Sequence, residues 1–338
     1  MPITLSVSTL AQSRTQSKRL TDLGRELDNL QRQVTTGKKY DSYTEFGTQA
    51  YTLQNIKTQT PKIEAYIDNI DKAGTDMEQM TRLMEKVSEV ANNVKEAVNL
   101  RESDTAGIES LAEFAQANLD FLKDILNEKG LDGNYLFAGG NLSEQVFVND
   151  SSLNTNYSNE VTAWLNGTNT TNQLTANSDA FNSTTLGFST ALDTATGRNT
   201  QIDDNLTVDY SIKGNIEGIQ NIIRAVALVA NMEYPGPADV ATEDEVDTIF
   251  QYASSTLSAG VIQTNDEVQN LSSKFSFINS IKENHQNDLE VYLKQTDTIE
   301  NVNPSEALLQ MQLLRTQLET SYQVTSIVSE LSLVNFIR

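Results

Sequence analysis

The stretch Asn303–Arg338, NPSEALLQMQLLRTQLETSYQVTSIVSELSLVNFIR, decides the fold. Asn303 is a good helix cap. Pro304 suits the first helical position because the N–H it lacks would have no partner there, and Glu306 stands three residues after the cap, where a capping box needs it. No breaker follows. Met311, Leu314, Leu318, Tyr322, Thr325, Val328 and Leu331 recur at steps of three or four, so one side of a long helix is apolar. Leu308, Leu309, Leu313, Val324 and Ile327 widen that side, and Leu333, Val334, Phe336 and Ile337 make the last turns apolar nearly all round. Burying one Leu or Phe is worth about 1.5–3 kcal/mol, so the helix requires a partner helix, another subunit or a holding protein. The plainer alternative is a terminal core helix.

The other end of the chain offers a matching element. From Leu5 to Thr36 the pattern is helical, and Leu20, Leu23, Leu27, Leu30 and Val34 keep strict three-four spacing, the seam of a coiled coil. Gly37 fits a C-terminal cap, and Lys38 and Lys39 suit the negative end of the helix dipole. Arg14, Lys18, Arg19, Arg25 and Arg32 make this segment basic, which admits a membrane-surface helix. The interleaved Asp22, Glu26 and Asp28 are explained more simply by a solvated coiled-coil flank.

Between the ends, a polar linker at 40–48 leads to a helix carrying Leu53, Ile56, Ile63, Ile67 and Ile70, interrupted or bent near Pro61. Met77, Met80, Met84, Val87, Ala91, Val94 and Val98 then alternate steps of three and four, and Ile108, Leu111, Ala115, Leu119, Leu122 and Leu126 resume the pattern. At heptad spacing the methionines read as core. At Gly130 turn residues take over, and 145–212 is rich in Asn, Thr and Ser, with strand candidates at QVFV, EVTAWL and LTVDYSI and exposed loops at NTNYS and NGTNTTNQ. Helical pattern returns at Ile216, Ile219, Ile223, Val226 and Ala230 and stops at the YPGP turn. A last long helix begins at the Thr242–Glu245 capping box, with Gly260 as a weak point.

The expected fold is therefore mainly α with a β-rich insertion. Both chain ends form a long antiparallel helical rod or coiled coil: 1–40 and 303–338 are paired terminal helices, 41–140 and 213–302 a helical rod domain, and 141–212 a β-rich outer domain.

Little in the chain points to chemistry. There is no cysteine, hence no disulfide, thiolate site or cysteine nucleophile. The net charge of −22 opposes general nucleic-acid binding. No apolar run approaches the roughly 20 residues needed to span a bilayer, and the opening MPITLSVSTLAQSR lacks the basic segment of a cleaved secretory signal. The single histidine, His285, sits among polar neighbours and reads as solvated. Asp203, Asp204 and Asn205 lack the spaced oxygen ligands of a calcium loop and read as a solvated turn. Trp164 and Tyr157 admit a site for a host or sugar surface in a secreted coiled-coil adhesin or effector, but a lone Trp reads first as core. No phosphate loop or dinucleotide fingerprint is present. No enzyme, cofactor or metal is expected.

With these residues in view, the two ends resemble the bacterial flagellin superfamily, and ETSYQVTSIVSELSLVNFIR is similar to its terminal helix. Within it, LQRQVTTGKKYDSYTEFG and GLDGNYLFAGG look most like the hook-associated branch that forms the hook–filament junction. After TTGKK the common Asp-Asp-Pro continuation is replaced by YDSYTEFG. The resemblance covers about 1–140 and 215–338. It implies a self-assembling structural component of the flagellum, an adaptor whose terminal helices lie in the core of the tube, with a filament subunit as the alternative reading. It implies a homo-oligomer beside a neighbouring hook-associated protein and flagellin, and export to the cell exterior through the flagellar type III apparatus, held by a dedicated chaperone. The assembly-interface residues it points to are Leu20, Leu23, Leu27, Leu30 and Val34 in the first helix. In the last helix they are Met311, Leu314, Leu318, Tyr322, Val328, Leu331, Leu333 and Phe336. No nucleic acid and no membrane enter this reading.

Overall fold

Helix dominates wherever an apolar ladder at three-four spacing is long enough to be buried. A computed structural model of the chain describes the backbone of residues 3–140 and 143–337, and the side chains of 11, 13–140, 143–149 and 151–327. The chain divides into two compact units: 1–64 with 286–338, and 65–285. Helices α2 (Gln49–Leu100) and α8 (Glu243–Glu300) contribute to both.

Unit 1 contains α1 (Ile3–Thr36) and α9 (Pro304–Ile337), which pack on each other. Gly37 ends α1 with φ near +71°, in the left-handed region that a side chain disfavours, and its N–H bonds back to the Gln33 carbonyl at 2.8 Å. At α9 the Asn303 side chain accepts from the Ser305 N–H at 3.1 Å, the cap the sequence implies. The two helices are joined at these ends by an antiparallel bridge: Lys39 N–H donates to the Glu300 carbonyl at 2.8 Å and Val302 N–H to the Gly37 carbonyl at 2.9 Å. The buried Glu300 carboxylate lies 2.7 Å from Lys38 Nζ and 2.6 Å from Lys57 Nζ, tying α1 and α2 to the end of α8. Burial alone would raise its pKa. The hydrogen bonds and charges of Lys38 and Lys57 outweigh that and hold it below the ordinary 4.5. Its hydrogen bond in turn raises Lys57.

Unit 2 is built around α7 (Glu217–Ala230), a helix buried on nearly every side. It packs on α3 (Thr105–Leu126), α4 (Asp150–Leu165) and α5 (Thr171–Ala180). A Cβ on Gly260 of α8 would meet Ile222 Cγ1 at 2.7 Å and the Gly218 carbonyl at 2.9 Å. Gly260 is thus no weak point: the missing side chain lets α7 and α8 touch. A short helix α6 (Ala191–Thr194) precedes the hairpin of β1 (Asn199–Asp203) and β2 (Leu206–Asp209), paired antiparallel from Asn199 opposite Asp209 to Asp203 opposite Leu206, with one irregularity.

Three expectations need correction. The segment 141–212 is not β-rich: among the described residues it holds α4, α5, α6 and a single two-stranded sheet. EVTAWL and NTNYS lie within α4, where Leu153, Tyr157, Val161, Trp164 and Leu165 form a helical ladder buried in the core. The α4 N-terminus is capped by Asn149, and a full capping box at Thr170 and Gln173 starts α5 inside the supposed loop NGTNTTNQ. Of the strand candidates, LTVDYSI does supply β2. Pro61 does not interrupt its helix, because α2 continues through it from 49 to 100. His285 is buried rather than solvated: the hairpin covers it, with His285 Nε2 2.7 Å from the Ile202 carbonyl and the ring stacked on Tyr66. Its polar sequence neighbours gave no sign of a cover arriving from residue 202.

Two measurements check this account. In a helix Ala is ordinarily favoured over Gly by about 1 kcal/mol, but overpacking at a fixed backbone carbonyl costs about 1–3 kcal/mol. Gly260→Ala should therefore lower the denaturant midpoint, whereas Gly24→Ala, where nothing lies within 4 Å of the added methyl, should leave it unchanged or raise it. The Glu300 contribution should be complete above its ordinary 4.5 and disappear as pH falls through the depressed folded value. Hydrogen exchange of the Lys39 and Val302 amides, corrected for intrinsic rate, should lose protection in that acid window. Glu300→Gln should show the lower protection already at neutral pH, and equal protection of the two proteins there would refute the latch.

Candidate assembly surface

Helix α9 carries two apolar ladders, and α1 covers one. Ala307, Leu314 and Leu318 are buried and Met311 half-buried, and the ladder continues through the half-buried Ser321 and Thr325. Both hydroxyls of those last two residues donate to carbonyls four residues back, at 2.7 Å each, which keeps the face they share with the leucines apolar. On α1, Leu30 is buried, and Leu20, Leu23, Leu27 and Val34 are half-buried. Leu20 lies beside Thr320, Ser321 and Val324 in a shallow cleft. These sequence-singled residues are thus brought together inside one chain.

The second ladder runs Leu309, Leu313, Thr316, Thr320, Val324 and Ile327, again at steps of four and three, half a turn away from the first. Every member is exposed, Leu313 by 64%, and Thr320 and Val324 at the far end also border the cleft at Leu20. Thr316 and Thr320 donate to the carbonyls of Gln312 and Thr316 at 3.1 and 2.9 Å, so their hydroxyls are spent on the helix. The ladder carries no charge. The charged pair beside it, Arg315 and Glu319, is engaged with itself at 3.4 Å. Exposed leucine and isoleucine in line on a helix mark an interaction surface.

Tyr322, expected in the seam, is 58% exposed and belongs to neither ladder. The buried register passes from Leu318 to Ser321, a step of three, where the apolar reading preferred a step of four. Val328, Leu331, Leu333 and Phe336 lie in α9, but their side chains fall outside the described residues. The sequence already held the signal for two ladders. Reading Leu309 and Leu313 as a widening of one face concealed it.

Other candidate chemistry is sparse. Asp203 and Asp204 sit at the hairpin turn, where Asp203 Oδ1 accepts from the Asp204 N–H and Asp204 Oδ1 from the Tyr66 hydroxyl at 2.8 Å. Among the described residues no group of three or more His, Asp or Glu is placed to hold a metal ion, and no helix is long and apolar enough to cross a membrane. Tyr157 and Trp164 are core residues: the Tyr157 hydroxyl meets Ser178 Oγ at 2.9 Å and Trp164 Nε1 donates to Thr171 Oγ1 at 3.2 Å, so neither presents a ring to a ligand.

No family model matches the chain, and no curated protein matches it by sequence. Among solved structures, the chain is similar to a protein from Vibrio parahaemolyticus described as a "putative flagellar hook-associated protein". The superposition has a TM-score of 0.52 at 13% sequence identity and covers 76% of this chain and 100% of that one. At that identity the likeness is one of fold: the chain shares the helical architecture of this flagellar hook-associated structure.

Proposed function

We propose that the chain is a structural subunit of the bacterial flagellum, without catalytic activity, that assembles with copies of itself through its terminal helices and joins the hook to the filament. The observation that carries this reading is the exposed ladder from Leu309 to Ile327 on a helix whose opposite face is already covered. The fold shared with a flagellar hook-associated structure and the flagellin-like ends support it. In this reading α1 and α9 form the coiled-coil stem of a rod in the tube's core, and the outer ladder of α9 packs on the next subunit. The partners are a neighbouring hook-associated protein, flagellin, the flagellar type III export apparatus and a dedicated chaperone, and the chain is exported without a cleaved signal. The SYQVTSIVSELSLVNF ending favours one second reading, the filament subunit itself.

The two ladders make separate predictions. Leu313→Glu places a charge where the monomer leaves the side chain in water, so it should change monomer stability by no more than about 0.5 kcal/mol while abolishing assembly seen by sedimentation and electron microscopy. Leu314→Glu buries an unpaired carboxylate and should cost the α1–α9 pair several kcal/mol, on the order of 3. Normal assembly of the Leu313 variant would remove the outer ladder from the interface.

Cells lacking a junction subunit should build hooks and release filament protein into the medium. Cells lacking a filament subunit should have short or missing filaments. Immunogold labelling confined to a band beside the hook is the expected result. Label along whole filaments would transfer the assignment to the filament subunit.

A further inference from the structure

Helix α3 leaves one side outside the core of unit 2. Phe114 and Phe121, seven residues apart and so on one face, are 42% and 47% exposed, and Ser110 and Ala117 beside them are exposed as well. Phe114 also lines a cleft with Ala97 and Leu111 where α2 ends. Along the neighbouring edge run Glu113, Asp120 and Asp124, all exposed. Asp120 accepts from Lys123 Nζ at 2.8 Å and from Gln116 Nε2 at 3.1 Å, while Glu113 and Asp124 form no ion pair among the described residues. Exposed phenylalanines edged by uncompensated carboxylates suit a basic partner, because an arginine both pairs with a carboxylate and stacks on a ring.

A second copy of the chain carries such a partner. Residues 1–39 are the basic stretch of an acidic chain, and Arg14, Lys18 and Arg25 are exposed on the side of α1 away from the leucine seam. Arg25 meets Asp22 of its own helix only at 4.0 Å. The three bases are spaced by four and seven residues, the three acids by seven and four. Each set therefore spans about 16 Å of helix at the usual rise per residue. Two antiparallel helices bring Arg25 to Glu113, Lys18 to Asp120 and Arg14 to Asp124 at once. Thr21 of α1 then faces Ala117 of α3, two small side chains at the middle of the contact.

From this match we propose that α1 of one copy docks antiparallel on the outer face of α3 of another, its bases on the acidic edge and its arginine stems against Phe114 and Phe121. The α1–α9 pair stays intact, because the leucine seam lies on the other side of α1. The contact rests on the reading that copies of the chain assemble, and it is distinct from the outer ladder of α9.

The chain has no cysteine, so an engineered one reports a single position. Full chains carrying Thr21→Cys, mixed with full chains carrying Ala117→Cys, allowed to assemble and then mildly oxidised, should give a disulfide-linked pair containing one of each. Glu113→Lys in both should cut the yield about tenfold, as like charges meeting across an interface do. Adding Arg25→Glu to it should restore the yield, which a mere folding defect would not allow. A parallel contact would set Lys18 opposite Glu113 instead, so rescue by Lys18→Glu in place of Arg25→Glu would overturn the antiparallel docking. Assemblies that sediment without the linked pair would overturn the contact and leave the assembly reading standing, whereas absence of any self-association would overturn both.

Discussion

Helix α7 imposes the constraint on which unit 2 depends. Ile219, Ile222, Ile223, Val226 and Val229 form one broad apolar face, and Ala225, Ala227 and Leu228 are buried beyond it, so no single neighbour can cover them. A helix buried over so much of its surface must be covered from several directions. Helices α3, α4 and α5 therefore pack on it, and α8 comes close enough that a side chain at residue 260 would crowd Ile222 and the Gly218 carbonyl. Helices α4 and α5 are rich in Asn, Ser and Thr, poor helix formers in isolation. They form because capping satisfies their first N–H groups and because Leu153, Tyr157, Val161 and Leu174 gain burial against the enclosed core. Tertiary demand overrides local propensity here, which is the physical reason the segment resembles loop and strand when read alone.

The terminal helices meet the same demand only halfway. Helix α1 can cover one side of α9, and the side it covers is the ladder through Leu314 and Leu318. Nothing in one chain's sequence of ladders distinguishes the side that will be covered, since both repeat at three-four spacing. The distinction comes from the start of the pair: the Glu300 latch and the Gly37–Val302 hydrogen bond fix where the two helices begin and therefore which faces meet. A local ion pair thereby helps set which face of α9 is left uncovered by α1.

What was legible in the sequence follows from these two cases. The long helices were visible because their ladders and caps are local: Gly37, Asn303 with Pro304, and Thr242 with Glu245 stand where helices end or begin. Leu20 through Val34 and Met311 through Leu318 are buried or half-buried at the leucine and methionine positions that the local spacing sets on one helix face each. The helices of 150–180, the cover over His285, and the division of α9 into an inner and an outer ladder were not visible, because each depends on a contact between residues far apart in the chain. Position 285 is buried by residue 202, and Tyr157 is satisfied by Ser178. The ion cluster of Arg198 with Asp76 and Asp132 belongs to the same class: its charges come from residues 76, 132 and 198, and no spacing rule connects them.

Charge bears independently on the proposed association through the terminal helices. A chain of net charge −22 repels its own copies, and the repulsion must be least where subunits come closest. Residues 1–39 hold seven basic side chains, Arg14, Lys18, Arg19, Arg25, Arg32, Lys38 and Lys39, against three acidic ones, Asp22, Glu26 and Asp28. Residues 303–338 are near balance. The terminal pair is therefore positive while the rest of the chain carries all the excess negative charge. Arg14, Lys18 and Arg25 are exposed on the side of α1 away from its leucine seam, while Arg32 on the same side is paired with Asp41 at 2.5 Å. At physiological ionic strength charges screen within about 8 Å, so the acidic remainder repels weakly once it is held farther apart than that. Apolar surface and net positive charge thus coincide in the same two helices, which is the charge distribution the proposed assembly needs.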